Sequence, residues 1–475
     1  MYKRIGVWKI GLQFEKNNAV LPQEDSEMKI TADYSKVTGK VKPMHGIGQP
    51  PFIGHNASMF HYLSEAGIPY SRLHDVQGWM GGGLYVDIPN LFRDFDADEN
   101  DPASYDFTFT DWLMERLMER GAEPFFRLGV SIENSHMLKT YRLYPPKDPH
   151  KWARICEHVI RHYNEGWADG YRFGITYWEI WNEPDDCWKE ETSAMWKGTK
   201  EQYFELYSVT ANHLKACFGD TIKVGGYASC GFYAMDSDPE RNGMKGLEVK
   251  KFEEFFLVFM REFFEYITSA EHRAPLDYFS WHTYADVKTA LKHAEYCRAV
   301  MNYYGFTDTE DFLNEWNTTP DVYGRATPEA AAKVLAMMLG MQRMTTSLLC
   351  FYDGRIGPSQ YGGLFNSSTW EPYLAYYALK MFNRAYRMGD EVETFTDEDG
   401  VYVLGARDGE HAVLLIANIS GKTLHNAELS LTGVDLTRTE IYRIDQKNPY
   451  RATGESIAAG SITLPPYACV EIVFS

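Results

Sequence analysis

Short apolar runs alternate with longer amphipathic stretches between about residues 40 and 385. The short runs are rich in β-branched and aromatic residues and predict strands at 42–46, 70–74, 123–127, 177–181, 222–226, 277–283, 311–316 and 347–353. In the longer stretches apolar residues recur at i, i+3 and i+4, which predicts helices at 109–120, 151–163, 201–217, 252–269, 287–303 and 326–343. Eight strand–helix units indicate an α/β protein built on a (β/α)₈ TIM barrel. A doubly wound open sheet is the alternative, but it rarely uses eight such units.

The pattern changes after residue 388 to short alternating strands separated by Gly, Asn and Asp turns, at 401–405, 411–416, 425–431, 440–444 and 469–474. This spacing is typical of an antiparallel β-sandwich. An apolar run at 4–14 also has strand character and is expected to join that sheet. We therefore predict N-terminal strands at 1–20, the barrel at 21–387 and an accessory β-sandwich at 388–475. No Pro-rich or Gly/Ser-rich linker separates the two regions, so we expect them to pack together.

Composition and charge indicate which kinds of molecule the protein can bind. The 475 residues are 44% hydrophobic and 24% charged, which is ordinary for a globular protein. A net charge of −19 without a basic cluster argues against nucleic-acid binding, because phosphate contacts supply most of that affinity. There is no run of 18 apolar residues, so no membrane span is expected. Aromatic residues make up 15% of the chain, which suits sugar stacking and equally suits a large aromatic core.

The cysteines and the N-terminus bear on location and on metals. Seven scattered cysteines with no C-x-x-C predict reduced thiols and a cytoplasmic protein. The first residues lack the apolar run of a secretory signal, although a chain expressed without its leader would look similar. No H-E-x-x-H occurs, and Glu157, His158 and His162 are expected to form a solvated helix face. Neither a metal nor another cofactor is expected.

Two predicted strand ends carry the same dipeptide. The fourth barrel strand runs into Asn182-Glu183-Pro184, and the seventh contains Asn314-Glu315. Barrel enzymes place their chemistry at the C-terminal ends of the strands, so these glutamates are expected to face one cavity. Cleavage of a glycosidic bond uses two such carboxyl groups, one to protonate the leaving oxygen and one to act at the anomeric carbon.

In this region the chain resembles glycoside hydrolase family 39, which includes β-xylosidases and α-L-iduronidases, within a clan of retaining barrel glycosidases. The resemblance covers most of the barrel and rests on several segments: Tyr144-Pro-Pro-Lys-Asp148 with Lys151-Trp152, Trp178-Glu-Ile-Trp-Asn-Glu-Pro184, 203–207, 222–226, Asp277-Tyr-Phe-Ser-Trp-His-Thr-Tyr284 and Glu315-Trp-Asn-Thr318. Asn-Glu-Pro alone would indicate only the clan. The Pro-Pro-Lys-Asp segment and the His-Thr-Tyr strand point to the family.

The resemblance implies a role for each matching residue. Glu183 corresponds to the general acid/base and Glu315 to the nucleophile, and the charge on Glu315 is expected to keep Glu183 protonated. Substrate contacts are implied for Asn182, Arg72, His74, His282 and Tyr284. Arg72 alternatively forms a structural ion pair inside the barrel, and His282 and Tyr284 alternatively are core polar groups.

The segment after the eighth strand departs from the family pattern, with Tyr352, Asp353 and Arg355 where xylosidases carry a tryptophan and acidic residues. We predict that these residues, together with Trp316 and Trp79, contact the substrate. Arg355 suits a sugar carboxylate or, alternatively, is a solvent-exposed loop residue. The expected protein is a cofactor-free, retaining, exo-acting glycosidase that removes a β-xylosyl or related β-D or α-L residue. Its expected substrate is an oligosaccharide or glycoside, and its assembly as a monomer or a homo-oligomer is left open. Uronic-acid, galacto- or arabino-configured substrates and a non-catalytic sugar-binding barrel remain the alternatives.

Overall fold

The computed structural model describes the main chain of residues 28–52, 59–74, 76, 86–131, 142–186, 189, 192–232, 247–318, 324–356, 362–409 and 411–474. The predicted strand at 4–14 and Trp79 lie outside the described residues. No helix in the described segments is long and apolar enough to cross a membrane. The six described cysteines are free thiols.

Eight parallel strands close into a barrel, which confirms the predicted fold class. After strand β1 (Lys29–Lys40), they are β2 (Gly46–Gly48), β3 (Tyr70–Leu73), β4 (Glu123–Leu128), β5 (Tyr177–Ile180), β6 (Lys223–Ser229), β7 (Tyr278–Thr283), β8 (Glu310–Trp316) and β9 (Leu348–Tyr352). The first barrel strand lies at Gly46–Gly48 instead of the predicted 42–46, where Pro43 has no backbone N–H to give to a sheet.

Helices cover the outside of the barrel. They are α1 (His61–Ala66), α2 (Ile88–Leu91), α3 (Thr108–Glu119), α4 (Pro149–Asn164), α5 (Lys200–Phe218), α6 (Leu247–Thr268), α7 (Val287–Tyr303), α8 (Pro328–Gln342) and α9 (Leu374–Met388). Polar side chains cap the N-termini of α4, α5, α7 and α8 and fix where these helices begin. For example, Thr199 and Gln202 form a reciprocal capping box at the start of α5.

The interior of the barrel is layered. Its lower layer is an aromatic cluster formed by the inward side chains near the strand starts: Phe125, Tyr177, Tyr278, Phe312, Leu348 and Cys350. Two residues further along β5, Glu179 again points inward, because successive strand side chains alternate between faces. The polar layer that contains Glu179 supports the strand ends where the site lies.

The remaining strands form one nine-stranded sheet. They are β1, β10 (Asp390–Thr396), β11 (Val401–Arg407), β12 (Ala412–Asn418), β13 (Leu424–Thr432), β14 (Thr439–Ile444), β15 (Pro449–Ala452), β16 (Ser461–Leu464) and β17 (Ala468–Phe474). Neighbouring strands are antiparallel except β1 and β13, which pair in parallel. The rings of Tyr34 on β1 and Phe474 on β17 lie 5.5 Å apart, although three strands separate β1 from β17 in the sheet order. The sheet therefore curls over its own core.

Among the described residues, the first strand of this sheet is β1, at Lys29–Lys40, which lies inside the segment 21–387 predicted as barrel. Its partners, β10 and β13, lie more than 350 residues away, so local sequence does not reveal its domain. The sheet packs directly on the barrel, as the absence of a linker sequence predicted. Residues of β12 are buried on both faces: Leu414 and Ile416 face the sheet core, and Val413 and Leu415 face the barrel.

Candidate active site

A bulge in β8 turns two consecutive side chains into the barrel. In a regular strand Asn314 and Glu315 would point to opposite faces. The pairing with β7 and with β9 shifts register at this point. Asn314 then donates to Glu179 (Nδ2···Oε1 2.6 Å) inside the barrel, and Glu315 meets Arg72 above it. The bulge therefore places Glu315 at the strand end over a polar layer.

A tight turn presents Glu183 after β5. Trp181 and Glu183 have positive φ angles of 73° and 43°, which residues other than glycine seldom adopt. The backbone N–H of Glu183 donates to the carbonyl of Ala228 on β6 (3.1 Å). Asp185, in the same turn, accepts a hydrogen bond from Ser229 Oγ (2.6 Å). These contacts with the neighbouring strand hold the unfavourable backbone and fix the direction of Glu183.

Glu183 and Glu315 face each other across His282. His282 Nδ1 lies 2.6 Å from Glu183 Oε1 and 3.7 Å from Glu315 Oε2. One carboxylate oxygen of each glutamate lies within 4.8 Å of the other. Both glutamates keep a small exposed fraction, 8% and 6%, whereas His282 is fully buried. Two distant segments of the chain thus bring two carboxyl groups to one opening at the C-terminal end of the barrel.

Arg72 links the paired carboxyls to the layer beneath them. Its guanidinium donates to Glu179 Oε2 (Nε 2.9 Å), to Glu315 Oε2 (3.2 Å) and to Asn182 Oδ1. Glu179 also accepts from Ser280 Oγ (2.6 Å). Arg72 is fully buried and directs its donors at protein atoms. Its contacts correspond to the interior ion pair that the sequence left open, and not to direct sugar contact.

Burial and neighbouring charges set the protonation of the site. Burial raises the pKa of Glu315 to about 7 and the charge of Glu183 acts in the same direction, while His282, Arg72 and Tyr284 oppose the shift. Burial lowers the pKa of His282 to about 4, so its imidazole is neutral at pH 7. Burial and the charge of Glu315 hold the pKa of Tyr284 well above its ordinary value. Tyr284 therefore stays protonated and donates to Glu315 Oε1 (2.7 Å).

Asn182 and His74 lie beside the pair. Asn182 Nδ2 is 3.3 Å from His74 Nε2. Burial and the charges of Arg127 and Arg72 hold the pKa of His74 well below its ordinary value, so this ring is neutral and its Nε2 can accept from the amide. The amide of Asn182 is thereby oriented by Arg72 on its oxygen and by His74 at its nitrogen.

The segment after β9 contains an ion pair between Asp353 and Arg355, here called the Arg355–Asp353 fork. Asp353 is fully buried, and Arg355 donates to its Oδ2 through Nε (2.9 Å) and a terminal nitrogen (2.6 Å). The guanidinium also lies over the Tyr352 ring, 5.6 Å from its centre. The Arg355 side chain is 22% exposed, and its charge contributes to the lowered pKa of His74. Arg355 is therefore a partly exposed cation near the site whose charge Asp353 balances.

Trp316, predicted as a substrate contact, is fully buried and packs edge-on against Phe351 with ring centres 5.3 Å apart. The physical reason is the bulge: once Glu315 points inward, the next side chain points to the barrel's outer face. We therefore reassign Trp316 to the core. Trp79 cannot be compared, since it lies outside the described residues.

The sequence motifs assigned no supporting role to the residues that hold the pair in place: Glu179, Ser280, Asn314 and Asp185. Glu179 carried a usable signal, because it stands at an inward position two residues after Tyr177 in a fully buried strand. A charge at such a position needs partners in the barrel interior. Ser280 carried no comparable signal, because serine is common at any position.

Glu183, His282 and Glu315 also form a group of three potential metal ligands. The Arg72 guanidinium, 3.2 Å from Glu315, already supplies a fixed positive charge there. A shared proton fits this group better than a divalent cation, because Arg72 already binds Glu315 Oε2, the same oxygen that faces His282.

Comparison with known proteins agrees with this geometry. The family model of glycosyl hydrolases family 39 matches residues 28–332. A β-xylosidase from Geobacillus stearothermophilus is 27% identical over 251 residues, which are 50% of this chain and 42% of that protein. One from Caldicellulosiruptor saccharolyticus is 29% identical over 171 residues, 35% of this chain and 31% of that protein. The matched region thus spans less than half the length of these relatives.

Solved structures show the same fold at low identity. A glucosidase from Croceicoccus marinus superposes with a TM-score of 0.73 at 20% identity, covering 95% of this chain and 99% of that one. A monomeric β-xylosidase from Caulobacter crescentus CB15 gives 0.65 at 16% identity, covering 94% and 99%. The family match covers well over half of the chain, including both glutamate-bearing strand ends. The chain therefore belongs to glycosyl hydrolases family 39, as the motifs in its fourth, sixth and seventh barrel strands predicted.

Proposed function

We propose that this protein is a retaining, exo-acting glycoside hydrolase that removes a terminal β-xylosyl or related neutral sugar. The observation that carries the proposal is the approach of Glu183 and Glu315, with carboxylate oxygens within 4.8 Å. Retaining enzymes hold their carboxyls roughly 5–5.5 Å apart, whereas inverting enzymes need roughly 6.5–9.5 Å to admit water between carboxylate and sugar. The short separation favours direct attack by a carboxylate.

The contacts of the two carboxyls support different roles. Glu315 accepts hydrogen bonds from the permanently charged guanidinium of Arg72 and from the hydroxyl of Tyr284. Both contacts favour the ionised form of Glu315. Glu183 contacts the neutral imidazole of His282. Because these contacts favour the ionised form of Glu315, we assign the proton to Glu183, which is the arrangement a nucleophile and an acid require.

In the first step, Glu315 attacks the anomeric carbon while Glu183 gives its proton to the glycosidic oxygen, and the alcohol leaves. In the second, Glu183 takes a proton from water, the water oxygen attacks the same carbon, and the bond to Glu315 breaks. Asn182, oriented by Arg72 and His74, is placed to donate to a sugar hydroxyl beside the reacting carbon. Such a contact lowers the barrier if it strengthens as positive charge develops on the ring.

The Arg355–Asp353 fork favours a neutral sugar over a uronic acid. Asp353 already occupies the guanidinium and cancels its charge, so a sugar carboxylate would have to compete with a buried protein carboxylate. A uronate-specific site is the second candidate function, since Arg355 remains partly exposed.

Hydrolysis of a panel of nitrophenyl xyloside, arabinoside, galactoside, glucoside and glucuronide tests this proposal. We expect the xyloside or another neutral glycoside to react fastest, with the sugar's anomeric configuration retained when the first product is observed by proton NMR. Release of monosaccharide alone from a xylo-oligosaccharide would support exo action. Preference for the glucuronide contradicts the neutral-sugar proposal, and first appearance of the opposite anomer contradicts retention.

A further inference from the structure

A second cluster of chemically active side chains lies between helices α4 and α5. Glu157 on α4 faces His213 and Cys217, which are four residues apart on one face of α5. His213 Nε2 is 2.6 Å from Glu157 Oε2 and 3.8 Å from Cys217 Sγ. One ligand atom from each of the three residues lies within 4.8 Å of the others. A carboxylate, an imidazole and a thiol thus converge on one point.

These separations approach those of a tetrahedral zinc site. With metal–ligand bonds of about 2.0–2.1 Å to nitrogen or oxygen and 2.3 Å to sulfur, tetrahedral angles place nitrogen and sulfur ~3.5 Å apart and nitrogen and oxygen ~3.3 Å apart. To reach these values, the distance from His213 Nε2 to Cys217 Sγ must shorten from 3.8 Å. The distance from His213 Nε2 to Glu157 Oε2 must lengthen from 2.6 Å. Metal binding therefore requires the side chains of Glu157, His213 and Cys217 to rotate about their χ angles.

The surroundings orient the ligands and leave room for a fourth. Arg161 donates to the other carboxylate oxygen of Glu157 (Nε···Oε1 2.7 Å), which turns Oε2 toward His213. Such outer contacts fix ligands in metal sites. The Arg161 charge opposes a nearby cation, but a second bond from Arg161 to Glu165 partly balances it. His213 is 30% exposed, so solvent can supply a water ligand.

One feature of the fold favours a cation here, and another separates the cluster from the active site. Helix α5 ends at Phe218, so His213 and Cys217 lie in its final turns, where the helix dipole is negative. Helix α5 follows β5 and runs back toward the N-terminal end of the barrel, so these turns lie far from the strand ends that carry Glu183 and Glu315.

We propose that Glu157, His213 and Cys217 bind a divalent cation of borderline softness, best matched by Zn²⁺, with water as the fourth ligand. Mixed nitrogen, oxygen and sulfur donors suit zinc better than the oxygen-preferring magnesium or calcium. The bound ion would tie α4 to α5 and leave the glycosidase chemistry unchanged. The site is independent of the proposed function.

Titration of the full-length protein with Co²⁺, a spectroscopic substitute for Zn²⁺, tests the proposal. We expect a near-ultraviolet thiolate-to-cobalt band and visible bands of tetrahedral intensity, both displaced by Zn²⁺. Cys217→Ser should abolish the thiolate band, and His213→Gln should weaken binding at least about tenfold. His158→Gln is the matched control, because His158 is next to Glu157 in sequence but contacts the Arg154 carbonyl.

Thiol reactivity provides a second readout. Cys217 is partly exposed, whereas the other five described cysteines are buried. Zn²⁺ should slow labelling of Cys217 by a thiol reagent in the wild type and in His158→Gln, but much less in His213→Gln. The proposal is overturned if Co²⁺ gives no thiolate band, if the band persists in Cys217→Ser, or if Zn²⁺ leaves the labelling rate unchanged.

Discussion

Tyr284→Phe isolates one contact that the mechanism requires. The Tyr284 hydroxyl donates to Glu315 Oε1 at 2.7 Å, and only 6% of Glu315 is exposed. A hydrogen bond to a charged group contributes about 1.5–3 kcal/mol. At 1.36 kcal/mol per pKa unit, its loss amounts to about one to two units. Only the ionised form of Glu315 reacts. At pH values below the raised pKa, the same free energy therefore corresponds to a loss of roughly 10- to 150-fold in kcat/KM.

The direction of the pH effect follows from which form the hydroxyl stabilises. Tyr284 stabilises the carboxylate of Glu315, so its removal raises the pKa of Glu315 further above the ordinary value. The acidic limb of the kcat/KM profile should therefore move to higher pH by about one to two units. The assay is hydrolysis of nitrophenyl xyloside from acidic to alkaline pH, so that the shifted limb is covered, with kcat and KM measured at each point.

Tyr278→Phe is the matched control. Tyr278 lies on the same strand, β7, but its ring belongs to the aromatic layer low in the barrel. Removal of that hydroxyl should leave the pH profile of kcat/KM unchanged. If Tyr284→Phe lost less than about threefold activity and kept the wild-type acidic limb, Tyr284 would not stabilise the nucleophile, and the assignment of Glu315 would lose one of its two supports, leaving only Arg72.

Three further substitutions test separate parts of the site. Glu183→Gln removes the proton donor, so hydrolysis of glycosides with poor leaving groups should slow by about 10²–10⁴-fold. Dinitrophenyl glycosides should keep near-normal glycosylation rates in stopped-flow measurements. Equal losses for both kinds of substrate would contradict the acid role. Glu179→Gln breaks a buried ion pair with Arg72, which should cost about 3–5 kcal/mol and lower the calorimetric Tm; an unchanged Tm would show that Arg72 does not depend on this partner. Asp353→Asn removes the carboxylate charge that balances Arg355, which should raise the glucuronide-to-xyloside ratio of kcat/KM by about tenfold; an unchanged ratio would mean that Arg355 does not face the sugar.

Patterns within single elements predicted much of the fold. Helix α7 has the bounds that the sequence indicated, Val287–Tyr303, because its apolar face is regular and Asp286 caps its first turn. The C-terminal sheet was recognised from alternating apolar and polar positions, which are clear in strands such as β13. The place of β1 was not foreseeable, because its strand pattern says nothing about partners in a distant part of the chain.

The position of both glutamates at strand ends was predictable, because each comes after an apolar run. The bulge in β8 was not, since it depends on register with both neighbouring strands. The sequence therefore did not show that Trp316, the residue after Glu315, is buried in the core. The interior role of Arg72 was open for a similar reason: only the fold shows that Glu179, more than 100 residues later, is its main partner.

The most direct test of the central claim is to trap and locate the covalent sugar. A 2-deoxy-2-fluoro-xyloside with a dinitrophenyl leaving group should inactivate the enzyme and leave one fluorosugar attached, and mass spectrometry of the digested protein should place that mass on Glu315. A sugar found on another side chain, or steady turnover by an inverting route with no adduct, would contradict the assignment of Glu315 as the residue that bonds to the anomeric carbon.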